Sequence, residues 1–380
     1  DSHHGGTAVV ELDGTLRKLG LSIKVIPAEV NVAVTEVTNV LVSGSWNITH
    51  EGALQNTNGG NHLDKSGGGD GVGAEEGGDT VGEGVKGVSG VVDGAGKVDA
   101  GAGHNVVKTI FMECGSAYNR EAPEHLRSLG ETKYIADEAL SDPNPLIAGI
   151  VSSIDLRRDD RDELLDMHIE ASRGLFRGIR DALALATHPE AMMIPGHAMK
   201  DLYLDADFRR GVARLGERGF TYDSWHYHHQ NREFLELARA TPGTTMVLDH
   251  FGTPVGVGPY ATQRDEIFEQ WKKDIAEIAK CPNVVAKIGG LAMPDNGFGW
   301  NTATRPPTSD EFNAQQSRYY LHAIECFGPS RCMLESNFPV DRLSLSYEVL
   351  WNAYKKMTSG FSASERADLF YNTAARTYQV

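Results

Sequence analysis

Seven short apolar runs, each closing on a polar or charged group, constrain what this chain can fold into. They are HNVVKTIFMECG (104–115), PLIAGIVSSIDL (145–156), GLFRGIRDA (174–182), GFTYDSWHYHHQ (219–230), TTMVLDHFG (244–252), NVVAKIGGL (283–291) and RCMLESNFPVD (331–341). Stretches of helical character lie between them, among them RDELLDMHIEASR, NREFLELARAT and QRDEIFEQWKKDIAEIAK. Strands alternating with helices predict βα units and a parallel sheet. Polar residues at the C-terminal ends of such strands are where a (β/α)8 barrel builds its site. No GxGxxG or GxxxxGK[ST] turn follows any of the runs, which argues against a nucleotide-binding doubly wound sheet. The expected fold class is therefore α/β, a (β/α)8 TIM barrel over residues 104–380.

The first part of the chain is different in kind. One aromatic residue, Trp46, occurs before Phe111, and 15 of the 37 residues from Gly67 to Gly103 are glycine. Such a segment has too little apolar area to offset an ordering cost of roughly 1–2 kcal/mol per residue. It is expected to be irregular and partly disordered, which makes residues 1–103 an atypical Gly-rich region and 104–380 the barrel domain. Within it, Leu21–Trp46 alternates enough to suggest one or two strands. No run of about 18 apolar residues is present, so no transmembrane helix is expected. The formal charge of −16 argues against a nucleic-acid surface. Cys114, Cys281, Cys326 and Cys332 are scattered without CxxC spacing. Reduced thiols, together with no basic-then-apolar leader pattern, make a cytoplasmic protein acting on a small molecule the expectation.

The run ends hold the candidate chemistry. His226, His228 and His229 crowd the end of the fourth run, Gln230 follows, and His250 closes the fifth. Histidines on neighbouring strand ends suit a metal or a polarised carbonyl. Arg177 and Arg180 can grip a substrate carboxylate, or else form an ion pair with Glu113 or Asp155. Lys287 stands inside an apolar strand, where an ammonium is costly unless paired or functional. The last run ends in a burst of Glu335, Asn337 and Asp341.

FRGIRD, the YHHQ segment, VLDHFGTP, NVVAKIGGL and FGPSRCMLESNFPVDR occur in this order and at family spacing. Together they resemble the amidohydrolase-related proteins of the TIM-barrel metal-dependent hydrolase superfamily, in the branch that holds sugar-lactone and pyrone-dicarboxylate lactonases. The resemblance covers about residues 101–380. It implies a hydrolase acting on a lactone or related ester carrying a carboxylate, with His228, His250, Arg177 and Arg180 in the active site. Glu113, Lys287, Gln230 and Asn337 join them as substrate-binding candidates. A non-oxidative decarboxylase, or a barrel that only binds its ligand, is the alternative.

Two departures from the family pattern stand out. Where relatives read Ser-Asp-Trp-Pro, this chain reads Ser336-Asn337-Phe338-Pro339, and an amide cannot take a proton near neutral pH. Glu335 and Asp341 are the candidate replacement bases. The family's first strand ends in Asp-x-His-x-His, but here Asp1, Ser2 and His3 fit and Gly5 stands at the second ligand position. Residues 6–100 resemble nothing in the family, so the first strand is expected to be missing or replaced. A divalent metal such as zinc on His3, His228 and His250 is implied only in part, since some relatives work without one.

Overall fold

In a computed structural model of the chain, the described residues are 40–45 and 103–380. Every one of the seven apolar runs contains a strand: β2 (Val106–Met112), β3 (Ile147–Ser152), β4 (Phe176–Ala182), β5 (Thr221–Trp225), β6 (Met246–Asp249), β7 (Val284–Ile288) and β8 (Cys332–Leu334). Val40–Ser45, here β1, lies in the Leu21–Trp46 stretch and pairs with β2. All ladders are parallel and follow chain order from β1 to β8. The fold is a curled, TIM-barrel-like α/β sheet. His3 and the Gly67–Gly103 segment expected to be disordered lie outside the described residues, apart from Gly103 itself.

Helices return the chain between strands: α1 (Arg127–Ser141), α2 (Arg161–Ala171), α3 (Ala206–Glu217), α4 (Asn231–Ala240), α5 (Arg264–Ile278), α6 (Ser309–Phe327) and α7 (Tyr347–Met357). Their starts are written in the sequence. Asp205 caps α3 by accepting from the Phe208 amide, and Thr308 and Glu311 form a capping box on α6. Their apolar stripes supply the main core, including Phe208 and Val212 of α3, Phe234 and Leu237 of α4, and Trp271 and Ile275 of α5, all buried.

Inside the sheet a second cluster forms from Ile110, Met112, Val151, Val247 and Met333, one face of four strands. The last helix, α8 (Thr373–Tyr378), adds Ala374 and Tyr378 to it. Gln379 donates to the carbonyl of Gly219, just before β5, so this apolar plug lies toward the N-terminal ends of the strands. That leaves the C-terminal ends for chemistry.

Candidate active site

Above the plug the interior turns from apolar to charged. Lys287 of β7 lies 3.2 Å from Asp223 Oδ2 of β5 and 2.9 Å from Asp249 Oδ1 of β6, and all three side chains are fully buried. Tyr378 donates to the same Asp223 carboxylate at 2.5 Å, which ties the plug to the charges. Arg180 of β4 continues the chain: its Nε donates to Glu113 Oε1 at 2.9 Å, its Nη2 to the Glu113 carbonyl, and its Nη1 reaches Asp249 Oδ2 at 3.5 Å. Charges this deep need partners, and each has one. Burial works against Asp249, but Lys287 and then Arg180 outweigh it and hold the carboxyl below its usual range. Burial wins at Asp223, with Asp249 adding to it, and raises that carboxyl to about 6.

At the end of β6 the backbone leaves the strand by an unusual route. His250, Phe251 and Thr253 have φ of 52°, 60° and 28°, the left-handed region that non-glycine residues avoid. This turn aims His250 away from Asp249 and toward β8. Its Nδ1–H donates to Glu335 Oε1 at 2.5 Å, between side chains 4% and 0% exposed. Asn337, also left-handed at φ 46°, donates from Nδ2 to Asp341 Oδ1 at 3.1 Å. Gly290 after β7 makes room for both: a Cβ there would lie 2.5 Å from His250 Nδ1 and 3.2 Å from Asn337 Nδ2. Tyr354 of α7 fixes the strand end by donating to the Glu335 carbonyl. The outer oxygens, Glu335 Oε2 and Asp341 Oδ2, are buried with no hydrogen-bond partner. Burial raises the Asp341 carboxyl well above its usual value, the Asn337 bond opposes this, and the nearby Glu335 charge adds to it.

His228, just after β5, packs against the turn that follows His250. Its amide donates to the Thr253 carbonyl and its Nδ1 accepts from the Val255 amide. Burial, and then His229, push the imidazole down to about 4, so it is neutral. The structure thus gathers His250, Glu335, Asn337 and Asp341 at one end of the sheet, above Glu113, Arg180 and Lys287, with His228 beside them.

Two expected residues do not join them. Arg177 is the second residue of β4, and its guanidinium donates to the carbonyls of Gly174, Phe176 and Ala148 at the opposite, N-terminal end. Being three residues before Arg180, it stands nearly a whole strand away from the mouth. Gln230 is a structural clip: it donates to the Leu183 carbonyl and accepts from the Leu185 and Tyr227 amides, holding the loop after β4. The bland reading of Arg180, an ion pair with Glu113, is what the geometry gives. His226 is likewise structural, locked between Ser224 and Asn231.

Asp223 and Asp249 escaped the sequence reading as site residues. A carboxylate inside an apolar run is the same signal that singled out Lys287, so TYDSW and MVLD carried the warning. Tyr378 had no such signal, because its contact is 155 residues distant in sequence.

Comparison with known proteins agrees with this architecture. The Amidohydrolase family profile matches residues 112–380. An uncharacterized protein of Sinorhizobium fredii, y4mH, is 36% identical over 73% of this chain and 82% of its own length. An L-fucono-1,5-lactonase of Burkholderia multivorans is 32% identical over 46% of this chain, and the match spans only 57% of that enzyme. Among solved structures, an amidohydrolase of Burkholderia multivorans with bound zinc superposes with a TM-score of 0.61 at 24% identity, covering 76% of this chain and 88% of that one.

Proposed function

The chain belongs to the amidohydrolase family, and from that premise we propose that it hydrolyses a lactone or related ester with His250, backed by Glu335, as its base. As a member it is an enzyme of the amidohydrolase superfamily, lactonase-like in its relatives. The reading takes the sheet to be closed as a full (β/α)8 barrel around this site.

The observation that carries the reading is the buried His250–Glu335 hydrogen bond. With Nδ1–H given to the carboxylate, the Nε2 nitrogen is the basic one, and the carboxylate stabilises the imidazolium that forms when Nε2 takes a proton. A water molecule attacks the carbonyl carbon as its proton passes to Nε2. The acyl–oxygen bond then breaks, and the leaving alkoxide takes that proton back. The sum is addition of one water across the ester. His228, neutral and adjacent, is suited to hydrogen-bonding the carbonyl oxygen. The left-handed backbone at His250 and Asn337 is strain of the kind that persists where geometry matters for reaction.

A metal set is harder to assemble from these side chains. Nδ1 of His228 accepts from the Val255 amide, so the neutral ring carries its hydrogen on Nε2, and of the two histidines only His250, with Nδ1 bonded to Glu335, has a free Nε2 lone pair. Among the described residues no three donors group as a divalent cation requires, and no step is routed through a metal.

A turnover screen over 1,4- and 1,5-lactones, aryl esters and aryl carboxylates, with and without added zinc, tests the proposal. Hydrolysis of a lactone or ester that falls by at least about 10²-fold in Glu335→Gln is expected. Release of carbon dioxide from an aryl carboxylate instead, or lactone turnover indifferent to Glu335→Gln, overturns it.

A further inference from the structure

We propose that Glu113 is a specificity-determining residue: by occupying Arg180 it closes the site to carboxylate-bearing substrates and leaves it selective for uncharged lactones. The inference rests on the hydrolase reading and names the substrate class of the same site.

Arginine recognises a carboxylate by presenting two parallel N–H groups from one edge. In Arg180 the Nε–Nη2 edge is already committed, Nε to the Glu113 side chain and Nη2 to the Glu113 carbonyl, while Nη1 faces Asp249. Its side chain is only 6% exposed. The second interior cation, Lys287, lies between Asp223 and Asp249. At the rim, Arg157 is held two-pronged by Asp155, at 2.9 and 2.8 Å. Arg177, the other arginine expected to grip an anion, is at the far end of β4.

The balance of charge points the same way. Arg180 and Lys287 face four carboxylates, those of Glu113, Asp223, Asp249 and Glu335. Near them Asp181 is driven up to about 7 by burial and then by Glu113 and Asp155, which marks the surroundings as hostile to one more negative charge. A substrate carboxylate would have to displace Glu113 from Arg180 and leave that carboxylate half-buried and unpaired. Rejection by an unmatched charge discriminates more strongly than loss of a contact. An uncharged lactone meets no such penalty.

The test uses a matched pair, the 1,5-lactone of an aldonic acid and its counterpart with a carboxylate in place of the terminal hydroxymethyl group. Wild type is expected to favour the uncharged lactone in kcat/KM by at least about tenfold, the effect of roughly 1.4 kcal/mol. Added salt should leave most of that gap in place, because the repelling carboxylates are largely buried and little screened. In Glu113→Gln, with its fold checked by circular dichroism and thermal melting, the ratio should shift toward the charged lactone by about tenfold or more. Parity of the two lactones in wild type, or an unchanged ratio in the folded variant, overturns the proposal. Should Glu113→Gln fail to fold, the wild-type ratio and its salt response decide alone. If neither lactone turns over, the hydrolase reading falls separately. Calorimetric binding of succinate then decides the charge rule, with tighter binding by Glu113→Gln than by wild type expected and equal binding fatal to it.

Discussion

Two buried polar clusters share the interior of this sheet, and they are built on opposite plans. The lower one runs Tyr378, Asp223, Lys287, Asp249, Arg180, Glu113, and cations and carboxylates alternate along it. The upper one holds His250, Glu335, Asn337 and Asp341, and two of its carboxylate oxygens have no partner. A cluster in which every charge has a partner of opposite sign resists change, because moving one member leaves another buried and alone. A cluster with unspent hydrogen-bonding capacity is free to bind a new group. The difference separates a frame from a candidate reactive centre within one stack of side chains.

Lys287→Met should produce the largest effect on folding. It leaves Asp223 and Asp249 without their shared cation, and a loss of about 3–5 kcal/mol in urea or guanidinium unfolding is expected. A loss under about 1 kcal/mol would break the comparison, since the lower cluster would then not be a frame. Glu335→Gln should reverse the pattern. Turnover should fall by about 10²–10⁴-fold while the melting temperature changes little. Equal damage to folding would place Glu335 in the frame as well.

Gly290→Ala sharpens the distinction at closer range. The new methyl would meet His250 Nδ1 at 2.5 Å on a backbone with φ of +76°, so the ring must leave Glu335. A kcat loss on the order of 10²-fold, with KM less affected, is the outcome to look for in steady-state kinetics. The smallest effect on folding is expected for Asp341→Asn, because an amide of the same shape replaces an acid whose charged form burial disfavours. The raised value of Asp341 has a consequence with a definite sign. Its contribution is present below the unfolded carboxyl value of about 3.8 and is lost as pH rises through the higher folded value. Wild type should therefore lose stability toward alkaline pH more steeply than Asp341→Asn, as read by denaturation at a series of pH values. Parallel profiles would show that Asp341 is ionised and paired.

Much of the fold is legible in the sequence. The seven runs stand out because strands buried on both faces must be apolar along their length, and their polar ends supply the candidates His250, Glu335, Asn337 and Asp341. Lys287 stood out because an ammonium inside an apolar strand demands partners. What misled was the reading of FRGIRD, where two arginines three residues apart look equivalent. On a strand that interval spans about 10 Å and changes face, which sends Arg177 to the carbonyls at one end and Arg180 to Glu113 near the other. Gln230 misled for a similar reason: next to a histidine cluster it looked like a ligand, and only the folded loop shows that Leu183 and Leu185 consume its amide.

The sequence alone determined the parallel βα order and the polar residue types at the strand ends where the candidate site lies, because periodicity and polarity are local properties of the chain. Tertiary structure alone decided which carboxylate met which cation. Arg180 meets Glu113 across 67 residues, His250 meets Glu335 across 85, and Tyr378 meets Asp223 across 155. Electrostatic pairing depends on distance in space, and closing the strands into one curved sheet sets those distances.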